Sequence, residues 1–122
     1  MKKVLIAEDS SVIQNLTKKI LEFQNFEITG VKNGKEVLKA IEGTKYDLLV
    51  MDINMPQMDG MSCIKEIRSL GDKSKSEIPA IAITGNAKNY TEDDFHKAGF
   101  NEFLAKPLDF DKLVETVKKL TE

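Results

Sequence analysis

Five times along this chain a short apolar run gives way to a longer amphipathic segment. The runs Val4–Ala7, Glu27–Val31, Leu48–Met51, Ala80–Ile83 and Glu102–Ala105 are too short for helices and are bounded by turn residues, so they read as strands. Between them, apolar residues recur at helical spacing. Val12, Leu16 and Ile20 repeat at i, i+4. Val37, Leu38 and Ile41 share a face, as do Ile64, Ile67 and Leu70. Phe110, Leu113, Val114, Val117 and Leu120 follow i, i+3, i+4, i+7. Asn33 with Glu36, and Thr91 with Asp94, have the spacing of capping boxes. Asp109 stands where it can cap the last helix. The helix Thr91–Ala98 has the weakest apolar stripe, and the polar stretch Leu70–Glu77 reads as a surface loop. Strand–helix alternation of this kind implies a parallel sheet with helices on both faces and right-handed crossovers, a three-layer α/β/α sandwich.

The 122 residues suit one domain, 1–122, with no linker or low-complexity tract. Lys and Arg number 18 against 20 Asp and Glu, a net charge of −2, so no face is forced to be basic and direct nucleic-acid binding is not expected. The single cysteine, Cys63, excludes an internal disulfide or a multi-cysteine zinc site. No apolar stretch approaches the roughly 20 residues that span a bilayer. The basic-then-apolar start Met1–Ala7 is stopped by Glu8 and Asp9 too early for a signal peptide. Cytoplasm is the expected location, with no membrane partner.

In an open parallel sheet, ligands gather at the carboxyl ends of the strands. The first strand here runs into Glu8-Asp9, the third into Asp52, the fourth into Thr84 and Gly85, and the fifth into Lys106-Pro107. Three acids, a hydroxyl and an ammonium therefore converge on one rim from distant segments. Taken singly, each residue has a plainer reading. Thr84 suits a strand by propensity, Lys106 suits solvent, and Glu8-Asp9 suits a helix N-terminus. Taken together, three carboxylates against one lysine leave an excess of negative charge that a hard divalent cation such as Mg²⁺ would cancel. An ionised Asp52 can attack phosphorus to form an acyl phosphate. Lys106 and the Thr84 hydroxyl can then hold the phosphoryl oxygens, with Gly85 leaving room.

The stretches KVLIAEDSS, DLLVMDINMPQMDG, IPAIAITGN and FLAKPLD closely resemble the receiver domain of two-component response regulators, of the single-domain chemotaxis-regulator type, and the resemblance covers essentially the whole chain. It implies a flavodoxin-like fold with strand order 2-1-3-4-5. It implies Asp52 as phosphoacceptor, Asp9 as direct metal ligand, Glu8 as the acid that reaches metal through water, and the Asn54 carbonyl as a further ligand. Thr84 and Lys106 match the phosphoryl-binding pair, and Phe103 matches the switch aromatic, although plain core packing also suits it. The Lys106-Pro107 bond matches one that is cis in the family. Glu8 stands where Asp is commoner, Gly85 where Ala is frequent, and Phe103 where Tyr would carry a hydroxyl. Asn54 and Asn86 occupy positions that tune dephosphorylation.

The resemblance also implies a sensor histidine kinase or phosphotransfer protein as phosphoryl donor. Helix one (Ser11–Phe23) would be its docking face, and a downstream protein would read the face formed by the fourth helix, fifth strand and last helix. Such a chain is no enzyme beyond its own phosphorylation and dephosphorylation. Two alternatives stay open. A phosphohydrolase of the haloacid dehalogenase type also uses Asp, Thr or Ser, Lys and Mg²⁺, but its nucleophile lies on the first core strand and a cap domain encloses its substrate. A flavodoxin-like binding module would need a phosphate-binding loop after strand one, where Glu8-Asp9 would repel phosphate. Among the remaining residues, His96 lies in a polar helix, Cys63 is expected to pack in a helix, Met51 to lie in the core, and Met55, Met58 and Met61 to line the rim near Asp52.

Overall fold

The computed structural model describes residues 1–85 and 90–122. The elements follow in the order β1 (Lys3–Ala7), α1 (Ser11–Phe23), β2 (Glu27–Val31), α2 (Gly34–Gly43), β3 (Leu48–Asp52), α3 (Gly60–Arg68), α4 (Lys73–Ser76), β4 (Ala80–Thr84), α5 (Glu92–Ala98), β5 (Glu102–Ala105) and α6 (Phe110–Thr121). The five strands form one parallel sheet in the order β2-β1-β3-β4-β5. The expected α/β/α sandwich and its strand order are both present. Asn86 lies outside the described residues.

Alternation along each strand divides the core in two. Leu49 and Met51 of β3 point to a cluster with Val37 and Ile41 of α2, Cys63, Ile64 and Ile67 of α3, and Phe95 of α5. Leu48 and Val50 point to the opposite cluster, with Leu21 of α1 and Leu113 and Val117 of α6. The central strands β3 and β4 are buried along their whole length, as strands covered on both faces should be. Asp52 continues the row of Leu48 and Val50, so it belongs to the face covered by α1 and α6.

Four expectations for the helices and their connections are corrected. The Val12–Leu16–Ile20 stripe of α1 is not its core face. Val12 is 78% exposed and Leu16 46%, while Thr17 and Leu21 are buried. Thr17 can be buried because its hydroxyl donates to the Ile13 carbonyl at 2.8 Å. Leu70 likewise ends its stripe at the surface. Within the expected loop Leu70–Glu77, Asp72 accepts from the Ser74 N–H and starts the single turn α4. The Asn33 cap is real, but Glu36 reaches past it to the Lys32 N–H, so only Thr91 with Asp94 closes a full capping box.

Arg68, which nothing in its sequence context marks, ties three segments together. Its guanidinium donates from Nε and Nη2 to the Gly99 carbonyl at 2.9 and 2.7 Å, and from Nη1 to the carbonyls of Ser76 and Ile78 at 2.9 and 2.6 Å. The end of α3 thereby holds the entrance to β4 and the exit of α5. A planar fork suits this arrangement and an ammonium does not. Arg68→Met is expected to destabilise the fold by about 2–3 kcal/mol, because it leaves partly buried carbonyls unsatisfied. Arg68→Lys is expected to recover only part of that loss. Urea unfolding of the three proteins checks both statements.

Candidate functional site

Four of the five strands, β1, β3, β4 and β5, deliver side chains to the carboxyl end. β3 carries Asp52 on its last residue, 2% exposed, and the ladder continues beyond it, with the Ile53 N–H donating to the Ile83 carbonyl at 2.9 Å. The following loop is held close by Gly60, where a Cβ would stand 2.7 Å from the Asp52 carbonyl oxygen. β1 leads directly to Glu8, which is 5% exposed, and to exposed Asp9. β4 ends in buried Thr84, whose carbonyl accepts from the Lys106 N–H at 2.8 Å. The Lys106-Pro107 peptide is cis, as the family resemblance implies.

The side chains meet. Lys106 Nζ donates to Asp52 Oδ2 at 2.7 Å and stands 3.9 Å from Glu8 Oε1. The Asn54 N–H donates to Asp52 Oδ1 at 3.0 Å, so both carboxylate oxygens of Asp52 are held. Carboxylate oxygens of Glu8, Asp9 and Asp52 lie within 4.8 Å of one another. Glu8, Asp52 and Lys106 also line a cavity of about 290 Å³ that continues between α1 and α6, past Ile13, Leu16, Pro107 and Phe110. At Gly85 a Cβ would stand 3.3 Å from Lys106 Cδ, so the missing side chain leaves space beside the lysine stem.

Charge crowding appears in the titration of the groups. Burial pushes the Glu8 carboxyl up to about 7, and the neighbouring Asp52 charge adds to the shift, against the lowering effect of the Ser10 N–H that donates to Glu8 Oε2 at 3.0 Å. Partial burial works against the charge on Lys106. The hydrogen bond to Asp52 and the charges of Asp52, Glu8 and Asp9 outweigh it and hold the ammonium above its ordinary value. The donor set fits a hard divalent cation. It consists of oxygens only, two of the three acids are buried, and burial beside the Asp52 charge pushes one of those, Glu8, toward neutrality.

The other residues singled out from sequence fall as follows. Thr84 lies on the same sheet face as Phe103, one strand away and two residues further along the register. Phe103 is half-buried and stacks on Phe95 of α5 with ring centroids 5.3 Å apart. Met61 is buried in the core rather than on the rim, and the Met58 side chain covers Gly34. Met51 is core as expected. Cys63 is fully buried with its thiol pushed up to about 12, first by burial. The His96 Nδ1 pairs with the Phe100 carbonyl at 3.1 Å, away from the acid cluster. Gln14, not singled out from sequence, places its amide against the Glu8 carbonyl at 3.0 Å. Gly30, one residue before the end of β2, is the available signal, since an isolated strand glycine marks close approach of another group.

Comparison with known proteins gives the arrangement its context. The response regulator receiver domain family matches residues 4–118. Two-component response regulator 24 of Arabidopsis thaliana is 35% identical over 117 residues, covering 95% of this chain and 81% of that protein. Hybrid signal transduction histidine kinase M of Dictyostelium discoideum is 35% identical over 96% of this chain, which spans only 5% of that protein's length. The solved structure of response regulator TrrA from Thermotoga maritima, in complex with Mg²⁺-BeF, is 34% identical with a TM-score of 0.85, covering 98% of this chain and 99% of that one. Neither the family match nor these relatives support the phosphohydrolase alternative. Topology and sequence agree, and the chain belongs to the response regulator receiver domain family, the signalling module of two-component systems.

Proposed function

We propose that residues 1–122 form one receiver domain in which Asp52 accepts a phosphoryl group from a sensor histidine kinase or phosphotransfer protein. The observation that carries this reading is the meeting of Asp52, Glu8, Asp9 and Lys106 at the carboxyl end of the sheet, with both oxygens of Asp52 already oriented. Asp52 attacks phosphorus, the phosphorus–nitrogen bond of the donor breaks, and its electron pair leaves on the imidazole. Receiver domains bind Mg²⁺ at this kind of acidic pocket, and Glu8, Asp9, Asp52 and the Asn54 carbonyl are the residues that would hold it. When bound, the cation offsets negative charge on the phosphoryl oxygens. Lys106 moves its ammonium from Asp52 Oδ2 to a phosphoryl oxygen, and the Thr84 hydroxyl donates to another. No other chemistry is required of the chain, which turns over only its own phosphoryl group.

Output follows from the same geometry. A phosphoryl group on Asp52 draws Thr84 toward it, and Phe103, on the same sheet face, shifts against Phe95 into the space left behind. The face built from α5, β5 and α6 changes shape for a downstream protein. The exposed Leu16, which lines the cavity that opens from Asp52, and the exposed Val12 on the same helix suit α1 to docking the phosphoryl donor. The near-balanced charge gives no reason for nucleic acid to bind directly. No helix among the described residues is long and apolar enough to cross a membrane, which accords with action in the cytoplasm.

Incubation with a small acyl phosphate and Mg²⁺ is expected to add one hydroxylamine-labile phosphoryl group, lost completely in Asp52→Asn and in excess chelator. Intact-mass spectrometry reads this directly, and a phosphoryl group retained on Asp52→Asn removes Asp52 from its role. Sustained turnover of unrelated phosphomonoesters would instead favour a hydrolase.

The Glu8 environment generates a second expectation. Its carboxyl titrates higher in the folded chain, at about 7, than the 4.5 of an unperturbed Glu, so the folded state holds this proton more tightly than the unfolded state. The stability contributed is fully present below about pH 4.5 and is lost as pH rises through about 7. Without metal, wild type is expected to lose stability relative to Glu8→Gln across that window. Saturating Mg²⁺, which favours the carboxylate, is expected to abolish the difference in slope. Unfolding midpoints of the two proteins across pH, with and without Mg²⁺, provide the check.

A further inference from the structure

The chain leaves β1 through Glu8, Asp9 and Ser10 before α1 begins, and a short loop of this kind ordinarily leaves its carbonyls to water. Here the backbone is held on both sides of Glu8. Its N–H donates to the Val31 carbonyl at 3.0 Å, which prolongs the β1–β2 ladder by one rung. Its carbonyl accepts from Gln14 Nε2 at 3.0 Å, and the same nitrogen donates its second hydrogen to the Val31 carbonyl at 2.7 Å. One side-chain amide thus bridges the ends of two neighbouring strands. Because a peptide unit is planar, fixing the Glu8 carbonyl sets the two backbone angles on either side of that peptide, and these aim the Asp9 carboxylate.

A second observation is independent of these hydrogen bonds. Gly30 lies inside β2, where glycine weakens a strand and is retained when another group must come close. A Cβ at Gly30 would stand 2.6 Å from Gln14 Cδ and nearer still to its Oε1. The empty side-chain position on β2 is filled by the amide of α1.

We propose that Gln14 is a positioning residue for the Glu8-Asp9 pair, seated by the missing side chain at Gly30, and that it sets the affinity of the acid cluster for Mg²⁺. This rests on the reading of Glu8 and Asp9 as groups that hold the cation. Gln14 itself touches neither cation nor phosphoryl group. It acts through the peptide that carries the acids, in the way that partners of metal-binding side chains tune affinity elsewhere.

Mg²⁺ binding measured by titration calorimetry on wild type, Gln14→Met, Gly30→Ala and the double variant tests this, each paired with urea unfolding in chelator. Methionine keeps the length and bulk of glutamine without its donors. The nearest atoms that an alanine Cβ at Gly30 would meet are Oε1, Cδ and Cγ of the flexible Gln14 side chain. Each single variant is expected to bind Mg²⁺ about tenfold more weakly or worse. The double variant is expected to bind no more weakly than the weaker single, because both changes break one contact. Wild-type affinity in Gln14→Met, with stability alone reduced, overturns the positioning role and leaves the metal site standing, and an additive loss in the double variant overturns it equally. Absence of saturable Mg²⁺ binding by wild type overturns the metal site and this inference together. Should Gln14→Met fail to fold, an unchanged affinity in Gly30→Ala overturns the positioning role in its place.

Discussion

Three carboxylates brought within 4.8 Å of one another around a single lysine are the constraint on which the rest of this molecule turns. Like charges at that distance repel, and burial of Glu8 and Asp52 removes the water that would screen them. The fold forces the arrangement. β1 and β3 pair along four residues, which leaves Glu8 and Asp52 side by side past the last rungs. The Lys106 contact to Asp52 and the raised proton affinity of Glu8 are two partial answers to the excess charge. A divalent cation bound there would be the more complete one, since it would bring the formal charge of the three acids and the lysine to zero.

The same sheet that concentrates the charge separates it from the stack of Phe103 on Phe95. Asp52 belongs to the face covered by α1 and α6, whereas Thr84 and Phe103 face α5 across the sheet. A change at the rim must therefore pass over the edge of β4 to reach the other layer. Thr84, the last residue of β4, stands at that edge. The exit of α5 is anchored through Gly99 to Arg68, and its start is closed by the Thr91–Asp94 capping box.

Much of this is legible from residue order. Each of the five strands has a bounded apolar run, and the polar ends of four of them mark the acid cluster and its lysine without reference to structure. The α1 stripe is the misleading feature. Apolar residues at i, i+4 cannot distinguish a face that packs inward from one that docks outward. Burial falls instead on Thr17 and Leu21, and Thr17 is admitted only because its hydroxyl turns back onto the helix carbonyls. Met61 departs from expectation for a related reason, since proximity in sequence to Asp52 says nothing about direction once α3 has begun. Arg68 and Gln14 are illegible because their partners are backbone carbonyls, which every residue possesses. Only the odd glycine at position 30 leaves a trace of one of them in the sequence.

The central statement is that charge crowding at this rim makes a specific seat for a divalent cation. Paramagnetic Mn²⁺, added at low stoichiometry to ¹⁵N-labelled protein, tests it most directly through selective broadening of amide signals. The account predicts that Asp9, Asp52, Ile53 and Asn54 broaden first and together, while the exposed acids at the start of α5, Glu92 and Asp93, remain sharp. Broadening centred on α5, or spread evenly over exposed carboxylates, would contradict it.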